Sequence, residues 1–323
     1  MRDGGHILAL SGGVGGAKLA TGLASRLAPE ALTIVCNTAD DFVHLGLTIC
    51  PDLDSVMYAL AGRNDAERGW GLANETWTVL ETLGGLGGEA WFRLGDQDLA
   101  THLQRSQRLR EGANLSKATA ELCRALGIAH RVLPMSNDPV RTVVQTASGE
   151  LPFQHYFVRE QCRPEVTGFR FEGIAAARPQ ADFLARLAHP ALEAVLICPS
   201  NPFVSVDPIL QLPGVLDALR ACPVPVVAVT PIVGGQALKG PAAKMMRELG
   251  LASSAEAVAA WYARYPGLVQ GFMLDEIDRA QQPAIEALGM RVRVTNTVMK
   301  NAGDRGMLAS VALAFAQEIA GHP

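Results

Sequence analysis

Residues 7–10 form a short apolar run that passes directly into Ser11-Gly12-Gly13-Val14-Gly15-Gly16, and then into a segment whose Leu19, Leu23 and Leu27 recur every four residues. A strand, a glycine turn and a helix in immediate succession begin a parallel unit, because the helix carries the chain back across the sheet before the next strand pairs. The alternation continues, with residues 32–36, 131–134, 194–198, 224–229, 268–274 and 291–294 all reading as strands. Runs without polar alternation, such as 194–198, fit strands buried on both faces. The expected fold class is therefore α/β, a mostly parallel sheet with helices on both faces.

Helices announce themselves by chemistry as well as period. Asp98 precedes Leu99 and Leu103, Arg105, Arg108 and Arg110 crowd the far end, and Gly112 follows, so cap, dipole and stop agree. Further helices are expected over 116–127 and 307–320. Residues 142–146 and 153–158, joined across 147–150, read as an antiparallel hairpin elaborating the sheet. No linker or repeat divides the 323 residues. The expectation is one domain over 1–323, with a core of about 5–60 and 190–323 and an insertion of about 61–189.

Composition excludes several classes of function. A net charge of -4, with no basic stripe interleaved with aromatics, gives no field for nucleic acid. No apolar run approaches membrane-spanning length. Residues 7–10 are too short for a secretory leader, which leaves a cytoplasmic protein as the expectation. Cys36, Cys50, Cys123, Cys162, Cys198 and Cys222 lack CxxC spacing and read as reduced, with Cys36 and Cys198 inside strand-like runs.

In an open parallel sheet, ligands bind beyond the carboxyl ends of the strands. The stretches 11–16, 37–41, 94–98, 134–138, 199–202 and 230–235 are rich in Gly, Asn, Asp, Ser and Thr, and are expected to converge on one rim. Turn chemistry alone favours the same residues in any single loop. The first loop suits a phosphate, since glycines let main-chain N–H groups approach and the following helix offers its positive end. Gly13 and Gly15 begin a GxGxxG pattern, but Lys18 stands where the third glycine belongs, and the GK[ST] of a P-loop is missing. Lys18 is either a phosphate cation or a solvated residue of a first helical turn.

Asp40, Asp41, Asp52 and Asp54 fall within fifteen positions, a concentration of hard oxygen ligands that suits Mg²⁺. On an extended chain Asp52 and Asp54 share a side; on a helix they diverge, and Asp52 then caps the run 55–60. Arg93, after an apolar pair and before a glycine turn, is placed to aim a cation at a ligand. His102 reads as structural. No Ser-His-Asp spacing and no His/Cys zinc cluster is present.

In order along the chain stand LSGGVGGAKL, NTADD, ICPDLDSVMYAL, RGWG, RLGDQDLATH, LPMSNDPV, PSNPFVSVDPIL and TPIVGG. From Ile7 to about Asp278 the sequence resembles the 2-phospho-L-lactate transferase family, CofD-like, of coenzyme F420 biosynthesis. The resemblance implies a Rossmann-like sheet with an inserted subdomain and an enzyme that binds the deazaflavin FO and a guanosine diphosphate-linked donor. It implies transfer of a phospho-acid to the terminal ribityl hydroxyl with release of GMP. By position, Asp54 and Arg93 match residues that contact FO, and Asp40, Asp41 and Asp54 match the Mg²⁺ neighbourhood. Ser11, Gly12, Gly13, Gly15, Gly16 and Lys18, with Pro199, Ser200 and Asn201, match the nucleotide and diphosphate side. Asp54, by its position, is the candidate catalytic residue, orienting the hydroxyl or accepting its proton. The family also implies a homodimer.

Archaeal members often read Thr-Gly-Thr-Pro where this chain has Val14-Gly15-Gly16-Ala17, and Lys at the Arg93 position. The donor's acid stays open among phospholactate, phosphoenolpyruvate and 3-phosphoglycerate. Two rival readings remain: a nucleotide-sugar-binding regulator of the gluconeogenesis-factor type, and an NAD(P)-dependent oxidoreductase argued from the strand–loop–helix start. Against the oxidoreductase, Asn37 rather than an acid ends the second strand, although Asp40 lies close by.

Overall fold

The computed structural model describes residues 4–321. Its centre is a seven-stranded sheet in which every pairing is parallel. From one edge to the other run Arg291–Val294, Gly271–Leu274, Val226–Val229, Leu192–Ile197, β1 (His6–Ser11), β2 (Leu32–Cys36) and Arg131–Pro134. All seven expected strands are present. Counted along the chain the order is 3-2-1-4-5-6-7, which places a topological switch point between β1 and Leu192–Ile197, where the crossovers turn in opposite directions.

Six of the seven strands feed two cores, whereas the edge strand Arg291–Val294 turns Val292 and Val294 to one of them. Leu8 and Leu10 face one side of the sheet with Val195, Ile197, Val226 and Ala228, and Ile7 and Ala9 face the other with Ala194, Leu196, Val227 and Val229. That alternation of uniformly apolar residues is why the runs carry no polar period. On the second side lie α1 (Gly13–Ala24), α2 (Pro51–Leu60) and the C-terminal helix Ala302–Ile319; Val215–Ala221, Ala242–Glu248 and Ala255–Ala263 cover the first.

The segment 61–189 leaves and rejoins the sheet. Its strand Arg131–Pro134 pairs with β2 as an edge strand, with excursions on either side of it. The first excursion carries the helices Thr78–Gly85, Asp96–Arg110 and Leu115–Ala125; the second is a three-stranded antiparallel sheet of Gly149–Pro152, Arg141–Thr146 and Val166–Glu172. The expected strand over 153–158 is not formed. Gly149–Pro152 pairs instead, across a tighter turn, and His155–Arg159 makes one wide helical turn. Phe153 and Tyr156, buried three residues apart, set a helical rather than an alternating period.

Two helices begin earlier than expected. Asn114 caps Leu115–Ala125 by accepting from the Lys117 N–H, and Asn301 with Asp304 forms a capping box that starts the last helix at Ala302. None of the six cysteines is bridged, and four are buried. Among the described residues no helix is long and apolar enough to cross a membrane.

The contact of α1 with the last helix depends on Gly22. A Cβ there would collide with the carbonyl oxygen of Arg305 and lie 3.3 Å from the Ala309 Cβ. Gly22→Ala gains helix propensity of at most about 1 kcal/mol, yet is expected to lower stability by a net ~1–3 kcal/mol through overpacking. Urea unfolding checks this, and a stabilised variant would contradict the packing.

Candidate active site

The loops on either side of the switch point are locked together. Ser200, just after Leu192–Ile197, accepts the Gly12 N–H at 2.9 Å and donates its hydroxyl to the Gly12 carbonyl at 2.8 Å. A Cβ on Gly15 would strike the carbonyl oxygen of Pro199, and one on Gly16 would lie 2.5 Å from Ser11 Oγ and 2.7 Å from Ser200 Oγ. These glycines therefore serve loop-against-loop packing as well as ligand approach. Gly13 itself sits at φ +62°, and its N–H donates to Asp52 Oδ1 at 2.6 Å.

Asp52 is thus no helix cap, contrary to expectation. Helix α2 starts at Pro51 with Cys50 as its N-cap. Asp52 points back across the sheet end, where Asn37 Nδ2 donates to its Oδ2 at 3.0 Å. Asn37 also donates to the Val204 carbonyl and accepts the Ala39 N–H at 2.9 Å, so the residue closing β2 organises the acidic floor. Burial pushes the Asp52 carboxyl up to about 6, against the two hydrogen bonds from Asn37 and Gly13. Asp40 is raised well above the usual carboxylate range, first by burial and then by the charge of Asp52.

Asp41 is buried as well and is pushed up to about 8, chiefly by burial, with the Cys50 thiol beside it. It does not line the cavity, whereas Asp40, Asp52 and Asp54 do. Among the described residues no group of three or more His, Cys, Asp or Glu is disposed to hold a metal by itself. The pair Asp40 and Asp52 still fits Mg²⁺, which is usually held by one or two carboxylates and completed by ligand phosphates and water.

Since α2 is helical, Asp54 diverges from Asp52 and faces the opposite wall. Both its oxygens accept from Arg105, with Nη1 at 3.1 Å from Oδ2 and Nη2 in closer contact with Oδ1. His102 Nδ1 lies 3.7 Å from Asp54 Oδ2, and its Nε2 lies 3.1 Å from Asp98 Oδ1. Tyr58 donates to the same Asp98 oxygen at 2.5 Å.

Asp98 is not a cap either. Its helix begins at Asp96, and Glu75 from a neighbouring loop accepts the N–H groups of Gln97 and Asp98 at 2.9 and 2.7 Å. The helix is inverted relative to a hydrophobic reading: Asp98, His102, Arg105 and Ser106 are its buried residues, while Leu103 is 49% exposed.

These walls enclose a cavity of about 490 Å³. Phe92, Phe153, Phe157 and Val158 supply apolar surface. At the mouth the Arg93 guanidinium lies 4.6 Å from the Trp77 ring, and that of Arg68 lies 5.4 Å from the Trp70 ring and 5.1 Å from the Trp77 ring. Lys18 donates to the Met299 carbonyl at 3.0 Å and Lys239 to the Arg68 carbonyl at 3.2 Å. Burial, followed by the charges of Arg305 and Lys239, holds the Lys18 ammonium below its ordinary value. Acidic floor, basic edge and aromatic mouth together suit a flat ring system beside a phosphorylated group.

Of the expected site residues, Gly12, Gly13, Gly15, Lys18, Asp40, Asp54, Arg93, Pro199, Ser200 and Asn201 line this one cavity. Ser11 and Gly16 lie beneath the loop that lines it. The stretch 134–138 does not reach the rim: Asn137 accepts the Ser116 N–H, and Ser136 and Asp138 bind Arg178. Sequence reasoning left Asp52 open between a Mg²⁺ ligand and a helix cap; it missed the Trp77 ring beside Arg93 and the Arg105–His102–Asp98–Tyr58 group. The available signal for the second was polar residues at 98, 102 and 105, the i, i+4, i+7 stripe of one helix face.

Residues 7–298 match the family described as 2-phospho-L-lactate transferase CofD. Similar relatives include a phosphoenolpyruvate transferase of Kitasatospora aureofaciens, 39% identical over 97% of this chain and 98% of that protein. Another is a 2-phospho-L-lactate transferase of Methanosarcina mazei, 38% identical over 94% of this chain and 98% of the relative. Among solved structures, a UPF0052 family protein from Bacillus halodurans superposes with a TM-score of 0.64 at 16% identity, over 96% of this chain and 98% of that one, a likeness of fold.

Gly15→Ala tests whether the two locked loops work as one. It is expected to lower stability by about 1–3 kcal/mol in urea; a variant as stable as the wild type would separate the loops.

Proposed function

The chain belongs to the 2-phospho-L-lactate transferase CofD family, transferases of coenzyme F420 biosynthesis, and from that premise we propose a specific reaction. A phospho-acid group moves from a guanosine diphosphate-linked donor to the terminal ribityl hydroxyl of FO, with release of GMP, in a Mg²⁺-dependent step. The observation that carries this reading is the shared cavity. The glycine loop and the residues Pro199, Ser200 and Asn201 line it together with Asp54 and Arg93, whose guanidinium rests against the Trp77 ring.

In the proposed step the ribityl oxygen attacks the phosphorus that bears the acid. A new O–P bond forms, the bond from that phosphorus to the bridging oxygen breaks, and GMP leaves with that oxygen. The hydroxyl proton departs to a carboxylate or to the leaving phosphate. Phosphoryl transfer asks a protein mainly for in-line positioning and neutralised charge. Val14 and Gly15 line the cavity at the first turn of α1, where helix N–H groups lack intrahelical acceptors and favour a diphosphate. Lys18 and Lys239 add positive charge at that side. Asp54, whose oxygens already accept from Arg105, is better placed to orient the attacking hydroxyl than to strip it.

Mg²⁺, held by Asp40 and Asp52 and completed by phosphate oxygens, would stabilise the charge that builds on the transferred group. Burial raises the proton affinity of both carboxylates, and the charge of Asp52 adds to the rise at Asp40. Asn37 argues against nicotinamide dinucleotide chemistry, because its side chain is spent on Asp52, the Val204 carbonyl and the Ala39 N–H. The relatives that name different acids are equally similar, at 39% and 38%, so the donor is left to experiment. The enzyme is proposed to work as a cytoplasmic homodimer without nucleic-acid or membrane partners.

Incubation with FO, Mg²⁺ and each of three guanylylated donors, carrying phospholactate, phosphoenolpyruvate or 3-phosphoglycerate, is expected to release GMP and yield an FO phospho-adduct by mass spectrometry. Saturable binding with no product from any donor would instead indicate a regulator. Chelation should abolish turnover and Mg²⁺ restore it. Asp40→Asn or Asp52→Asn should raise the Mg²⁺ needed for half-maximal rate by about 10–100-fold, and unchanged metal demand in both would remove them as ligands.

A further inference from the structure

Arg105 is the only lysine or arginine among the described residues that is fully buried. It does not line the cavity, whereas Asp54, Tyr58, Asp98 and His102 all do. From behind the wall it grips both oxygens of Asp54, and a two-pronged guanidinium contact fixes the plane of a carboxylate as well as its position. Its Nη1 also reaches His102 Nδ1 at 3.3 Å and the Thr48 carbonyl at 3.4 Å. His102 in turn stands 3.1 Å from Asp98, which accepts from Tyr58 at 2.5 Å. Tyr58 lies one helical turn beyond Asp54 on α2, so the contacts form a closed ring between two helices.

We propose that Arg105, steadied by His102, is a positioning residue that sets the orientation of Asp54 towards the acceptor hydroxyl. This rests on the transferase reading, in which Asp54 meets that hydroxyl. Joining two helices needs no such ring, because well-packed apolar residues commonly replace a buried ion pair without loss of stability. The ring does what apolar residues cannot. It holds one cavity-facing carboxylate at a fixed angle, and it places a positive charge directly behind Asp54. Misplacement of a reacting group by about 1 Å can lower a rate about 100-fold, so a change behind the wall is expected to register in turnover.

The test compares Arg105→Lys, Asp54→Asn and the double variant with the wild type, in the presence of Mg²⁺, FO and whichever donor is turned over. Thermal melting reports folding, calorimetry reports guanosine diphosphate and FO affinity, and steady-state kinetics reports kcat and KM. Arg105→Lys, which keeps the charge and loses the fork, is expected to fold, to bind guanosine diphosphate as the wild type does, to bind FO more weakly, and to lower kcat about 10–100-fold. The double variant is expected to be no slower than Asp54→Asn alone, because residues acting through one group do not add. A folded Arg105→Lys with wild-type kcat, or a double variant slower by the product of the single losses, overturns the proposal. Should Arg105→Lys fail to fold, His102→Gln replaces it, with reduced kcat and unchanged guanosine diphosphate affinity expected; wild-type kcat in that folded variant overturns the proposal as well. Wild-type turnover in Asp54→Asn would remove Asp54 from the reaction itself, whereas a slow Asp54→Asn beside a fast Arg105→Lys would sink the positioning role alone.

Discussion

Everything at the mouth of the sheet depends on how closely two turns can approach each other. Ser200 satisfies both the N–H and the carbonyl of Gly12, and Gly15 and Gly16 leave no room for a methyl group between the loops. Were the turns held farther apart, the first turn of α1 would swing away from the floor, and the Gly13 N–H would lose Asp52. The glycines that look like an invitation to a phosphate are first a condition for closing the switch point. A ligand uses a surface that main-chain packing has already made.

Charge is then distributed by depth. Acids occupy the floor, where burial and mutual repulsion favour their protonated forms, while lysines and arginines occupy the rim, where they lean on carbonyls and indole rings. A protein with net charge -4 can thereby present a cationic entrance without a basic surface. Long-range steering would be weak for such a chain, so recognition must come from contacts inside the cavity.

Most of the strands were legible as short, largely apolar runs closed by turn residues, as in 194–198 before Pro199, while the edge strand Arg291–Val294 alternates Arg and Val. Their order could be anticipated only as parallel. The convergence of the glycine loop, Asp40 and the residues after Leu192–Ile197 was also visible, since a parallel sheet puts every strand's carboxyl end on one edge; Asp54, on α2, and Arg93, between two helices of the first excursion, were placed there by the family resemblance. What escaped depended on partners distant in the chain. Asp52 has the local appearance of a cap, and only the return of Gly13 and Asn37 in space gives it another task. Asp98 resembles a cap until Glu75 takes that duty from more than twenty residues away. Arg105 reads as a charge balancing a helix terminus, and nothing local shows that its face of the helix is the inner one. At 153–158 the alternation of strand residues and the spacing of Phe153 and Tyr156 compete, and burial decides for the helical turn.

The cavity walls are drawn from residues as early as Gly12 and as late as Met299, with contributions near Asp54, Arg93, Phe153, Asn201 and Lys239. No contiguous fragment of the chain holds a working subset, and the joints that bring them together, such as Gly12 with Ser200, close loops of nearly two hundred residues. Such long-range closures slow folding, because their loop entropy is paid before the contacts reward it. Catalytic competence in this protein is therefore a property of the finished chain, and recovery of turnover after denaturation would time the last step of assembly rather than the first collapse.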